Sequence, residues 1–381
     1  MTQEISWKRN LAAIWFAELT SIIGFAIAIP ILPFYVQELG VTDPDAVKFW
    51  AGLITVVHPV TMAVMAPIWG TLADRYGRKP MLVRAMLGGA VVLGLMGVAT
   101  AVYQLVILRA IQGMLTGTVT AANTLVASTT PRERSGSALG FLQMGIYAGA
   151  SLGPVVGGVV SDALGTRAAF FTTGGLLLTG GLLVAFFVRE NFEPTTSTES
   201  SWRAVIQGFQ AVATTPALLS ALGIRLMMRM ASKLPGPNLS LFVEELVPTG
   251  RAATLAGLVW GGNAAAAAVG AVLLGWASDR IGRRRVLLAC GAASALIYVP
   301  QFFVVNVTQL ALLQGGAGFA MGGILATLSA TLATFSPEGR QGAVYGVDAS
   351  VVSAANAIAP ALGTALAIGW DVRAPFLGSA V

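Results

Sequence analysis

Six ionisable side chains sit where the surrounding sequence is apolar: Glu18, Arg109, Arg225, Arg229, Lys233 and Asp348. An ionisable group inside a membrane-spanning segment is costly to bury and marks a functional site by default. A carboxylate that is desolvated or freed from its partner can take up a proton near neutral pH. Glu18 lies about eight residues into its apolar run, roughly 12 Å along a helix, and Asp348 and Arg225 lie about as deep in theirs. The three are therefore expected to form one network, with Glu18 and Asp348 as candidate proton carriers and a permanent salt bridge as the plain alternative. Arg225, Arg229 and Lys233 are spaced four apart and so form one helical stripe. That stripe can pair with Glu18 or attract anionic or zwitterionic molecules. Arg109, on its residues alone, can snorkel to the interface or brace the first apolar run through polar bonds. The single His58 precedes Pro59 and reads as a packed kink residue.

The elements that position these charges are membrane spans. Of 381 residues, 55% are hydrophobic and 10% charged, with a mean hydropathy of +0.76. A soluble domain carries about 25% charged residues, so most of this chain's surface must face lipid. A span needs roughly 20 apolar residues, and runs of that kind fall at 11–36, 48–73, 81–101, 104–128, 137–161, 168–188, 217–243, 252–277, 286–305, 308–333 and 341–369. A twelfth begins at Ala374. The first run is too long for a cleavable signal peptide and retains Glu18. With the N terminus inside, 15 of the 23 Lys and Arg residues fall in cytoplasmic segments and four on the other side, the asymmetry expected of cytoplasmic loops. Topology thus explains the net charge of +6 without nucleic acid. One Cys and one His, with no metal cluster, nucleophile elbow or nucleotide loop, argue against an enzyme. No metal and no cofactor are expected.

An internal repeat organises the spans. Gly70–Lys79 recurs as Gly275–Arg284, 205 positions later. Pro131, Gly136 and Gly140 recur as Pro337, Gly342 and Gly346, and Pro154 as Pro360, at an offset of 206. Arg167-Ala-Ala-Phe170 recurs as Arg373-Ala-Pro-Phe376 at the same offset. The chain therefore reads as an all-α membrane protein of two six-helix halves, residues 1–189 and 217–381, joined by a cytoplasmic linker at 190–216. By the repeat, Val381 matches Gly175, so the twelfth span is expected to be truncated, with about 13 further residues belonging to it.

Gly70 and Gly77 suit a tight two-helix turn and close helix approach. Asp74, among Arg75, Arg78 and Lys79, can pair locally or sit at the positive N-terminal end of another helix. Gly149, Gly153 and Gly157 place small residues on one helical face, joined by Gly158, with Pro154 loosening the ladder. Such a face gives a surface on which two halves can rock. Met227, Met228, Met230, Trp15, Phe16, Trp260, Phe319 and Met321 are candidates for adaptable cavity walls.

These blocks resemble the major facilitator superfamily, and within it the twelve-helix drug:proton antiporters of the MdtG type. Gly70–Lys79 resembles that superfamily's motif A, Leu108–Gly113 its motif B, Gly149–Gly158 the antiporter motif C, and Pro30-Ile-Leu-Pro33 a signature of the drug exporters. The resemblance implies that Asp74 faces the start of the eleventh span, near Arg340–Gly342, as a conformational latch, and that Arg109 is tied to proton transfer. It implies export of small amphiphilic molecules in exchange for protons, across the inner membrane of a bacterium, by a monomeric chain whose partners are lipid, substrate and protons. The charged stripe departs from the MdtG-type pattern and keeps open a transporter or flippase of anionic solutes or lipids. A non-transporting membrane sensor is the alternative of another class.

Overall fold

The computed structural model describes residues 6–131, 134–192, 210, 212–247, 250–336 and 341–380, apart from the side chains of residues 67, 71, 74 and 341–343. The helices are α1 (Trp7–Glu38), α2 (Pro44–Tyr76), α3 (Arg78–Met96), α4 (Val102–Leu115), α5 (Thr118–Thr129), α6 (Ser135–Leu164) and α7 (Thr166–Phe187). They continue with α8 (Pro216–Lys233), α9 (Gly236–Leu246), α10 (Ala252–Ile281), α11 (Arg283–Gln301), α12 (Val307–Phe335), α13 (Gln341–Gly369) and α14 (Ala374–Ala380). The described residues hold no strand. Helices are what an apolar chain must form where no water can satisfy its peptide groups.

Nine stretches of helix among the described residues are long and apolar enough to cross a membrane. Two of the eleven runs expected from the sequence differ from the rest. The run at 217–243 breaks into α8 and α9 around Pro235, which cannot donate to the helix ladder. The ninth run, 286–305, falls largely in α11, which opens on Arg283, Arg284 and Arg285, and these dilute the helix's apolar character. The fourth run is also interrupted, because α4 stops at Leu115 and α5 restarts at Thr118. Gly117 lies between them at φ 134°, a conformation that residues with a side chain rarely adopt.

The described chain forms two compact units. One comprises Met1–Val41, Thr61–Thr196 and Gly250–Gly261, the other Thr42–Val60, Ser197–Thr249 and Gly262–Val381. Each unit is mainly one sequence repeat, but each also contains the N-terminal end of a helix from the other repeat: α10 in the first unit, α2 in the second. In the first unit Ile14, Leu82, Met86, Leu125, Leu142 and Val184 form a buried core. In the second, Leu218, Leu222, Val286, Ile324, Leu328 and Val344 do the same. Lipid is as apolar as leucine, so helix association rests on close packing and polar contacts rather than on escape from water. The second unit shows both. Gly318 and Gly322 of α12 abut the carbonyls of Asn263 and Ala267 in α10. The Asn263 amide donates to the Gln314 backbone carbonyl at 2.8 Å and to its side chain at 3.0 Å, and Gln314 donates onward to Gln301 at 3.0 Å.

Candidate functional site in the spans

Glu18 lies on the buried face of α1, with 0% exposure. One turn before it is Ile14, in the apolar core of the first unit. Neither carboxylate oxygen has a hydrogen-bond partner among the described residues. Ser21, three residues on and so on the same face, is equally buried, and its hydroxyl has no partner either.

Two members of the expected network, Arg225 and Asp348, lie in the second unit. Arg225 of α8 pairs with Asp348 of α13, Nε to Oδ1 at 2.9 Å, with both side chains largely covered. The two atoms meet as charges without the alignment of a hydrogen bond. Arg225 also donates through Nη1 to the Ser329 hydroxyl of α12 at 3.2 Å. The pair has a simple cause: an arginine deep in a bundle takes the carboxylate its own packing brings to it, and α8 packs on α13. Arg229 and Lys233 continue the stripe to the last residue of α8.

Arg109 is buried near the middle of α4. Its Nη1 donates to the Gln112 side chain at 2.8 Å, one turn on. The repeat gives it a counterpart that the sequence alone did not reveal. Gln104 closes the start of α4 by accepting from the Thr100 amide at 2.8 Å, and Gln309 accepts from the Val305 amide at the start of α12 at 3.4 Å. Both pairs are 205 positions apart, and that register sets Gln314 opposite Arg109. One repeat carries a cation where the other carries a neutral amide.

In the Gly70–Lys79 block, Gly77 (φ 97°) makes the turn between α2 and α3, and its repeat Gly282 (φ 95°) makes the turn between α10 and α11. A Cβ on Gly70 would meet nothing within 4 Å. The Asp74 side chain, Arg340 and the side chains of Gln341 and Gly342 lie outside the described residues. Arg75, Arg78 and Lys79 surround the turn, and a residue unnoticed in the sequence completes it. Glu190 accepts from the backbone amides of Arg78 at 3.0 Å and Lys79 at 2.8 Å. A carboxylate at a helix N terminus satisfies orphan amides and meets the positive end of the dipole. Asn10 of α1 sets it there by gripping Arg189, donating to its carbonyl at 2.7 Å and accepting from its amide at 3.1 Å.

The glycine face of α6 serves two neighbours. A Cβ on Gly149 would lie 2.9 Å from Ile22, on Gly153 2.6 Å from the Ile23 carbonyl, and on Gly157 2.6 Å from the Ile27 carbonyl, so three successive turns of α6 rest directly on α1. Gly158 turns toward α10 and abuts the Ala253 carbonyl. In return Gly257 of α10 abuts the carbonyl of Pro154, and Gly261 would place a Cβ 2.5 Å from the Ser151 carbonyl. Ser151 donates to the Gly261 carbonyl at 3.0 Å, and the Thr254 amide donates to the Asp162 carboxylate at 2.7 Å. Gly257 and Gly261 are spaced as a small-xxx-small pair, a sequence signal that would have found this face. The second unit repeats the arrangement: Gly52 of α2 abuts Thr364 of α13, and Lys48 donates to the Ala367 carbonyl at 3.3 Å.

Of the expected cavity walls, Trp15 is committed to packing. Its indole donates to the Phe141 carbonyl at 2.9 Å and stacks on the Phe141 ring. Met227 is exposed and Met321 buried, so the side chains proposed as one lining do not share one environment. Asn238 of α9 is fully buried, with neither amide atom partnered among the described residues, a polar group that the sequence did not single out.

The sequence profile of the Major Facilitator Superfamily matches residues 14–244 and 221–381. The chain is 37% identical over 375 residues to the protein named "Multidrug resistance protein MdtG" of Salmonella heidelberg (strain SL476), covering 98% of this chain and 92% of that one. It is 37% identical over 380 residues to the protein of the same name from Enterobacter lignolyticus (strain SCF1), covering 99% and 90%. Among solved structures, a bacterial homologue of the human lysosomal transporter Spinster, inward-facing and unoccupied, superposes with a TM-score of 0.76 at 16% identity, over 94% of this chain and 82% of that one. The human organic anion transporter MFSD10 (TETRAN) gives 0.67 at 16% identity, over 98% and 97%. At that identity the two structures share a fold with this chain.

Proposed function

Because the chain belongs to the major facilitator superfamily, a family of membrane transporters, we propose that it exports small amphiphilic, drug-like molecules in exchange for protons. The relatives' multidrug-resistance name supports the substrate class. The observation that carries proton coupling is Glu18: a carboxyl group at 0% exposure with no hydrogen-bond partner for either oxygen among the described residues. An ionised, unpartnered carboxylate is expensive in such surroundings. A group of this kind changes its energy most between protonated and ionised forms, which is the property a coupling residue must have. Asp348 is held by Arg225 and is the weaker candidate. Arg109, buried beside a neutral Gln112, supplies fixed positive charge in the same repeat.

Alternating access then requires the paired helix ends at Gly158–Ala253 and Gly52–Thr364 to part and re-form, since each joins elements of different repeats. The basic segments support a cytoplasmic N terminus in a bacterial inner membrane. The proton gradient supplies the energy, with no cofactor, metal or catalytic step, and a single chain contains both halves.

The test uses Glu18→Gln in membrane vesicles. Uphill, pH-gradient-driven movement of a fluorescent amphiphile is lost, while downhill exchange persists. Full gradient-driven transport by Glu18→Gln sinks the assignment of Glu18. A second reading, transport of anionic solutes or lipids, is favoured by the stripe of Arg225, Arg229 and Lys233. Under it, Arg229→Gln lowers transport of an anionic amphiphile more than that of a cationic one, and an equal effect on both removes it.

A further inference from the structure

Between α2, α3 and the break separating α4 from α5 lies a cavity of about 210 Å³. Pockets for drug-sized ligands run to roughly 300–1,000 Å³, so this one is small for an exported drug. It has room for a phosphate and the first atoms attached to it. The cavity exists because side chains are missing: Gly70 and Gly117 both line it, and a Cβ on either would meet nothing within 4 Å. One part of its wall is apolar, with Met62, Ala66 and Met81, and another carries Arg78, Arg84 and Thr120.

Arg84 gives the cavity its chemistry. Its guanidinium lies on the face of Trp69, 3.2 Å from the ring centre, and Trp69 is fixed by an indole bond to the Met114 carbonyl. Of the five N–H donors on a guanidinium, those on Nη2 reach only a 3.4 Å bond to the Leu115 carbonyl. Nε and Nη1 are buried without a hydrogen-bond partner among the described residues. Arg84 forms no ion pair among the described residues. A covered cation with idle donors, beside a cavity with a second arginine, is complementary to an anion. Planar, forked donors suit phosphate in particular.

Depth decides the source of that anion. Arg84 is six residues into α3, about 9 Å along the axis, near the level where lipid headgroups give way to acyl chains. Indole rings favour that level too. A soluble anion would gain nothing from the methionine wall, whereas an amphiphile would. We propose that this cavity binds an anionic phospholipid, its phosphate held by Arg84 and Arg78 and the start of its acyl region lying on Met62, Ala66 and Met81. The proposal rests on the chain's spanning a membrane and not on proton coupling or export.

The experiment follows thermal unfolding of the full chain in detergent with added phosphatidylglycerol, phosphatidylcholine or inorganic phosphate, together with native mass spectrometry of retained lipid. A ligand that binds only the folded protein raises its unfolding midpoint. Phosphatidylglycerol is expected to raise it by several degrees, well above phosphatidylcholine, and to remain bound. Arg84→Gln abolishes that difference. Ala66→Phe, which fills the cavity from the apolar side and leaves both arginines, does the same and serves should Arg84→Gln fail to fold. Equal effects of the two lipids, or a phosphatidylglycerol effect undiminished in the variants, overturns the site. A rise with inorganic phosphate as large as that with phosphatidylglycerol overturns the assignment to lipid.

Discussion

A charge inside a bilayer persists when a neighbour neutralises it, and Arg225 and Asp348 do so for one another at 2.9 Å. Removing one partner of a buried pair costs roughly 3–5 kcal/mol, because the other charge is left unpaired. Asp348→Asn should therefore unfold at a clearly lower temperature in detergent than the parent chain. Arg225→Met with Asp348→Leu should recover most of the loss. An Asp348→Asn protein as stable as the parent would show that the pair contributes nothing to the fold. Glu18 predicts the opposite pattern. No cation is stranded when its carboxyl becomes an amide, so Glu18→Gln should keep the parent's unfolding midpoint while losing gradient-driven transport. Asp74 belongs to a third kind, a charge beside a turn that Gly77 already makes without it. If Asp74 acts as a switchable latch, Asp74→Asn inserts and folds normally yet transports poorly; normal transport by that variant would remove the latch.

At the scale of the element, the start of α3 shows how a turn motif acquires a partner from far along the chain. Gly77 reverses the backbone, Glu190 covers the first amides, and Asn10 sets the strand of chain that carries Glu190. Losing a side-chain cap costs about 1 kcal/mol, so Glu190→Ala should lower the unfolding midpoint by a few degrees, and Glu190→Gln by less. An unchanged midpoint for Glu190→Ala would mean that water replaces the cap in full. The spans themselves were legible, because twenty apolar residues in sequence leave a helix as the main option. Glu190 was not: a carboxylate just past a span reads as the first residue of a linker, and only the packing of α1 on α7 reveals what it meets. The break at Gly117 was hidden for another reason. Glycine is common in membrane helices, so one glycine inside an apolar run does not announce a stop. Glu18 and the α6 glycine face were visible because their residue types are costly or useless anywhere except a buried position or a close contact. The choice of Asp348 as the partner of Arg225 was open, since depth along a span orders charges but does not say which helices adjoin.

At the scale of the whole molecule, duplication has left each compact unit holding a helix end that belongs to the other repeat. The contacts made there are of two kinds. Gly257 against Pro154 and Gly52 against Thr364 bring backbones together where no side chain fits. Asp162 adds a carboxylate to the first turn of α10, accepting from the Thr254 amide at 2.7 Å, the arrangement that a helix dipole favours. It links the end of a helix in one repeat to the start of a helix in the other. Packing of that sort is bistable, either seated or apart. If export proceeds by alternating access, a covalent tie at this point should stop it. The sole cysteine, Cys290, can first be replaced by serine, and cysteines introduced as Asp162→Cys and Thr254→Cys. Asp162 is exposed, so a short thiol-reactive crosslinker reaches it. Crosslinked protein in vesicles is expected to bind substrate but to lose transport, and reduction of a cleavable linker should restore it. Each single-cysteine variant, treated in the same way, controls for loss of the Asp162 carboxylate and for modification of either thiol. Undiminished transport by fully crosslinked protein would show that these helix ends stay together throughout the cycle, and the parting of the repeats would have to be sought elsewhere.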